Sequence, residues 1–172
     1  MPDIEIRPAT AAEMGQLGAL TSYVYGGAFG DGEDNTSSNA NKPEWTLCAF
    51  DGAKMAASYG AIPFTMRANG RAMAMAGVSI VGTLPEYRRQ GLLRRITERS
   101  FEQMREQGQT VAALWASQAA IYQRFGYSLC SVQRRYELDT VDAHLLENPN
   151  PAYRVARTTQ AEAFDTIKGL YR

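Results

Sequence analysis

The stretch Leu84-Pro85-Glu86-Tyr87-Arg88-Arg89-Gln90-Gly91-Leu92-Leu93-Arg94-Arg95 decides how this chain folds and where it binds. Before it, Arg71 to Leu84 is a strand-like run that Pro85 ends. After it, Gly91 to Gln107 has the period of a helix. Leu93, Ile96, Ser100, Phe101 and Met104 fall on one face, and Arg95, Glu98, Glu102, Arg105 and Glu106 on the other. Gly108 stops that helix. The first turn of a helix offers unpaired backbone N–H groups and a partial positive charge, which suits a phosphate. Gly91 has no side chain, so backbone and ligand can come close there. Arg88 and Arg89 add the charge that a pyrophosphate needs. Basic turns ahead of amphipathic helices are common, so the motif gains its meaning from its setting and from a second motif downstream.

Upstream, Lys54 to Met66 and Arg71 to Leu84 are two strands joined by Asn69-Gly70, a strong two-residue hairpin signal. Trp45 to Phe50 is another strand, closed by the turn at Asp51-Gly52. These segments predict an antiparallel meander. Ile4 to Arg7 alternates and ends at Pro8, as a short first strand would. Thr10 and Glu13 have capping-box spacing, and Leu17, Leu20 and Val24 carry a helix to about Tyr25. Gly26 to Glu44 is a long loop, and loops of this length are often functional. Asp31, Glu33 and Asp34 make its first half acidic.

Downstream, Thr110 to Ala116 is an apolar run suited to a central strand. Ala119 to Phe125 is a short helix stopped by Gly126, and Ser128 to Leu138 is expected to be a final strand. The order β-α-β-β-β-α-β-α-β predicts an α/β domain with a mixed, mostly antiparallel sheet and flanking helices. Asn148-Pro149-Asn150-Pro151 is a linker signal. Beyond it, Tyr153 to Arg157 and Thr158 to Leu170 repeat the strand-then-helix pattern of residues 4 to 25. We expect one domain over residues 1–140, a linker over 141–152 and the start of a second, incomplete domain over 153–172. The alternative is a strand and helix packed on the first domain.

Composition narrows the function. The chain has 172 residues, 45% of them hydrophobic, with 18 basic and 18 acidic side chains. A neutral balance argues against nucleic acid, and arginines clustered from Arg88 to Arg99 point to one anionic ligand. No apolar run is long enough to span a membrane. Cys48 and Cys130 lie in apolar runs, so buried free thiols and a cytoplasmic protein are expected. The single histidine, His144, has no neighbouring ligands, so no metal site is expected. It is read as a surface linker residue rather than a catalytic base. Trp45 and Trp115 are read as core.

The segment from Ala76 to Arg95 resembles the cofactor-binding motif of the GNAT superfamily of N-acetyltransferases. The usual pattern, Arg/Gln-x-x-Gly-x-Gly/Ala, reads here Arg88-x-x-Gly91-x-Leu93, with Leu93 where a small residue is usual. The paired arginines with Gly91-Leu92-Leu93 are similar to the Eis (enhanced intracellular survival) branch. Ile121-Tyr122-Gln123-Arg124-Phe125-Gly126-Tyr127 resembles that branch more closely still. The resemblance spans roughly residues 3 to 140. It implies acetyl-CoA as co-substrate, with the pyrophosphate held by Arg88, Arg89, Gln90, Gly91, Leu92 and Leu93. The preceding strand, at Val81, Gly82 and Thr83, would pair with the pantetheine arm through its backbone.

Acyl transfer to an amine needs a deprotonated amine, a stabilised oxyanion and a proton for the departing thiolate. A thiol has a pKa of about 8.5, so an acid near the sulfur helps it leave. In the superfamily a tyrosine four residues before a Gly-Phe/Tyr pair is that acid, and Tyr122 stands in this relation to Gly126-Tyr127. Spacing alone would equally suit a core aromatic. Glu44, Glu86 and the acidic loop are candidate bases by charge alone, and ordered water is another. The acceptor implied is a primary amine on a cationic small molecule. Asp31, Glu33 and Asp34 could attract it, although a merely solvated loop is the better reading of them. Ser117 could touch it, although capping the short helix is the better reading. Eis-like proteins are oligomeric, which implies a homo-oligomer. A second class of function is a non-catalytic acyl-CoA-binding module of a larger protein or assembly.

Overall fold

In the computed structural model, residues 4–27, 41–142, 152 and 156–170 are described. They form two compact units divided between Leu129 and Cys130. The first unit holds one five-stranded sheet in the order β1-β2-β3-β4-β5. Its strands are β1 (Ile4–Arg7), β2 (Cys48–Asp51), β3 (Lys54–Ala68), β4 (Arg71–Thr83) and β5 (Val111–Leu114). All neighbours run antiparallel except β4 and β5, which are parallel. The Asn69-Gly70 turn closes the β3–β4 hairpin with both residues at positive φ, as a type I′ turn requires.

Successive residues of a strand face opposite ways, so each face of this sheet needs its own cover. Helix α1 (Met14–Val24) covers one face and helix α2 (Leu92–Glu106) the other. Cys48 and Phe50 of β2 join Leu17 and Leu20 of α1, while Ala49 between them joins Ile96 and Met104 of α2. Burying a Leu or Ile side chain stabilises by about 1.5–3 kcal/mol, so this alternation fixes the register firmly. Burial on the α1 side also pushes the Cys48 thiol up to about 11.

The start of α1 is tied by one carboxylate. Glu13 accepts from the Thr10 backbone N–H at 2.8 Å and its hydroxyl at 2.9 Å. It also accepts two 2.8 Å hydrogen bonds from Arg7, so the pair is bidentate. The Arg7 contacts first, then those with Thr10, hold the Glu13 carboxyl down at about 2.

One expected element is not formed. Residues 128–138 make no strand. Val132, Tyr136 and Leu138 are exposed instead. Apolar residues prepare a segment for a sheet, but its N–H and C=O groups must also meet a partner strand, and none among the described residues pairs with them. Cys130 is consequently exposed rather than buried. Trp115, expected in the core, is 78% exposed just past the end of β5. In the second unit, Gln160–Leu170 is a helix, close to the expected Thr158 to Leu170. His144 and the strand expected from Tyr153 fall wholly or partly outside the described residues. No helix among the described residues is long and apolar enough to cross a membrane.

Candidate active site

The site begins where strands β4 and β5 stop matching. Their ladder ends at Val78↔Leu114, but β4 continues to Thr83. Among the described residues, 79–83 therefore have β3 on one side and no strand on the other. Val81, Gly82 and Thr83 all lie on this open edge.

A bulge shapes the same stretch. Ser58 pairs with Gly82 and Gly60 with Ser79, so Tyr59 opposes both Ile80 and Val81. Ile80 has φ +47°, a left-handed conformation that is a genuine outlier for a β-branched side chain. Such strain costs about 1–3 kcal/mol and tends to mark functional sites. Ile80 was not singled out in the sequence. Gly60 opposite the bulge is the available signal, because a Cβ there would stand 2.9 Å from Ile80 Cγ1.

The segment expected to hold a phosphate follows directly. A 3-10 turn, Pro85–Tyr87, is fastened to the meander by Lys54 Nζ–Glu86 Oε1 at 2.7 Å and by Tyr87 donating to Asp51 at 2.8 Å. That ion pair holds Glu86 below the usual carboxylate range, so it is a poor base. Arg88 then donates to Thr83 O at 3.2 Å, folding the turn back on the strand end. Arg89 and Gly91 both take positive φ, +61° and +77°. Gly91 is the N-cap of α2, with open space around it. Arg95 N–H closes the first helical turn on Gly91 O at 3.1 Å, leaving the N–H groups of Leu92, Leu93 and Arg94 without intrahelical acceptors. Arg88, Arg89, Gln90 and Gly91 are exposed, Leu93 is half-buried, and Leu92 is buried against the sheet. Leu92, rather than Leu93, thus anchors the helix start.

After β5 the chain turns through Ser117 into the short helix α3 (Ala120–Gln123), which carries Tyr122. Ser117 is exposed and does not cap this helix, whose N-cap is Ala119 with no side-chain bond. Tyr122 is half-buried, its ring edge-on to Tyr127 at 5.8 Å between centroids. Burial first, then the phenols of Tyr25 and Tyr59, push Tyr122 up to about 12. Burial also raises Tyr127 and Tyr59. The buried Tyr59 and Tyr127 hydroxyls lie near each other and near Ser100, without closing a hydrogen bond of standard geometry. Tyr25, the C-cap of α1, donates its hydroxyl to Val81 O at 2.9 Å.

Asp31, Glu33 and Asp34 lie outside the described residues. Glu44 is exposed in the 3-10 turn Pro43–Trp45. Among the described residues no cluster of three or more His, Cys, Asp or Glu side chains could hold a metal.

The chain as a whole is similar to known proteins. Residues 5–130 match the acetyltransferase (GNAT) domain family, and the chain belongs to it. It is 30% identical over 128 residues to an uncharacterized N-acetyltransferase of Streptomyces avermitilis, covering 73% of this chain and 31% of that protein. It is 39% identical over 64 residues to the N-acetyltransferase Eis of Mycobacterium tuberculosis, covering 37% of this chain and 16% of Eis. The chain therefore spans at most about a third of these curated relatives. Among solved structures, Eis1 from Mycobacterium abscessus superposes with a TM-score of 0.61 at 25% identity, over 72% of this chain and 32% of that one. A predicted acetyltransferase with acetyl-CoA from Clostridium acetobutylicum shares the fold, with a TM-score of 0.62 at 14% identity over 83% and 99%.

Proposed function

We propose that this chain is the catalytic domain of an acetyl-CoA-dependent N-acetyltransferase that transfers the acetyl group directly to a primary amine of a small cationic molecule. The observation that carries the reading is the strand mismatch. β4 outruns β5 and then leads straight into an arginine-flanked helix start. An extended arm bearing a pyrophosphate fits that sequence of features. The arm would lie along Val81, Gly82 and Thr83, and the pyrophosphate at Arg88 to Leu93. The exposed cradle and the open space at Gly91 leave room for it.

The bound group supplies an activated acetyl thioester. The amine nitrogen attacks the acetyl carbon, the carbon–sulfur bond breaks, and the nitrogen gives its proton to water. Tyr122 gives its own proton to the departing sulfur and regains one from water. With its phenol at about 12, Tyr122 is protonated at any physiological pH. The desolvation that raises the phenol also raises a thiol held beside it, which keeps the two within reach of proton transfer. The acidic residues Asp31, Glu33 and Asp34 support a cationic acceptor, and exposed Ser117 is available to touch it.

Calorimetry with acetyl-CoA on wild type and Arg89→Ala, followed by an amine screen with thiol release, tests the reading. Binding that weakens sharply in the variant, with turnover of at least one amine, is expected. Binding without turnover of any amine would instead make the chain an acyl-CoA-binding module. No binding to wild type would sink both.

A further inference from the structure

Two consecutive carbonyls of the β4 bulge are held by side-chain hydroxyls from different elements. Ser58 Oγ on β3 donates to Ile80 O at 2.7 Å. Tyr25 Oη at the end of α1 donates to Val81 O at 2.9 Å. In an unbroken antiparallel ladder, carbonyls accept from the N–H groups of the neighbouring strand, and a bulge interrupts that pattern. Ser58 is 1% exposed, so its bond is sheltered from competing water. The peptide unit is planar and trans, so fixing a carbonyl also fixes the following N–H, which points the opposite way. Holding Ile80 O and Val81 O therefore aims the N–H groups of Val81 and Gly82.

We propose that Tyr25 and Ser58 are positioning residues that lock the Ile80–Val81 and Val81–Gly82 peptides so that the open edge of β4 receives the thioester end of acetyl-CoA. The inference rests on the acetyl-CoA reading above. It assigns the strained bulge a pair of clamps, one from β3 and one from the end of α1. Tyr25 has a second consequence. Its phenol lies close enough to Tyr122 to help keep that phenol protonated, so the clamp on the strand and the proton donor share one neighbourhood.

Tyr25→Phe and Ser58→Ala each remove one hydroxyl and little else. The test titrates each full-length variant with two ligands, acetyl-CoA and adenosine 3′-phosphate 5′-diphosphate, the phosphate-bearing half without the pantetheine arm. We expect acetyl-CoA affinity to fall by about fivefold or more in each variant, the scale of one lost hydrogen bond, with the truncated ligand unaffected. The KM for acetyl-CoA should rise in step. Unchanged acetyl-CoA affinity in both variants would overturn the proposal. So would an equal loss for both ligands, which signals general loosening. Wild-type protein binding neither ligand would instead remove the cofactor reading, and this proposal with it.

Discussion

Gly60 and Ile80 share one space, since a Cβ on Gly60 would stand 2.9 Å from Ile80 Cγ1 and 3.2 Å from its Cδ1. The side chain of the strained residue lies where any other residue on β3 would collide with it. Gly60→Ala must therefore press on the Ile80 side chain, and on Asn41, whose Oδ1 would stand 2.8 Å from the same Cβ. Overpacking of this kind costs about 1–3 kcal/mol. We predict that loss in denaturant unfolding, together with weaker acetyl-CoA binding. Equal stability and affinity would show that the bulge tolerates the methyl group.

Arg89 presents a trade between stability and binding. Its φ of +61° costs an L-residue about 1–2 kcal/mol that glycine does not pay. Arg89→Gly should relieve that strain and remove one charge from the cradle. The expected result is a chain no less stable to urea but weaker toward acetyl-CoA, with a shallower salt dependence of binding.

Tyr122→Phe should lower kcat by about a hundredfold or more, the usual contribution of a positioned acid, and leave acetyl-CoA affinity nearly unchanged. The pH profile follows from the raised phenol. Its proton is fully present below the ordinary tyrosine pKa of about 10 and is lost only as pH rises towards about 12. Wild-type kcat should thus show no basic limb from this group below pH 10. A basic limb near neutrality that vanished in the variant would contradict the assignment.

Glu13 gives an acid-side prediction. Its carboxyl is held at about 2 against an ordinary 4.5, so the Arg7 and Thr10 contacts stabilise the fold above pH 4.5. That contribution is lost as pH falls from 4.5 towards 2. Glu13→Gln should be less stable than wild type at pH 7, and the gap should close on acidification. A gap independent of pH would show that charge is not what Glu13 supplies.

Local chemistry carried most of the fold into view. Asn69-Gly70, Thr10 with Glu13, and the stop at Gly108 each dictate backbone geometry within a few residues, and the elements they bound are present. The helix start after Gly91 was legible for the same reason, because a glycine and a proline-led turn ahead of an amphipathic run are a local pattern. The bulge was not, since it depends on two strands falling out of step, and Ile80 alone reads as an ordinary strand residue. Tyr25 was hidden too, because its hydroxyl acts on Val81 across 56 positions of chain. The failure at 128–138 has the opposite cause. Apolar residues are present there, but a strand is a property of a pair, and the sequence names only one member.

The open stretch of β4 also bears on self-association. An uncovered strand edge is a template onto which another protein chain can zip, and repeated zipping leads to aggregates. The bulge at Ile80 and Val81 twists this edge and breaks its spacing, so a flat polypeptide strand cannot continue along it in register. The kink thus works against continuation of the sheet by a neighbouring copy, which an even edge would invite.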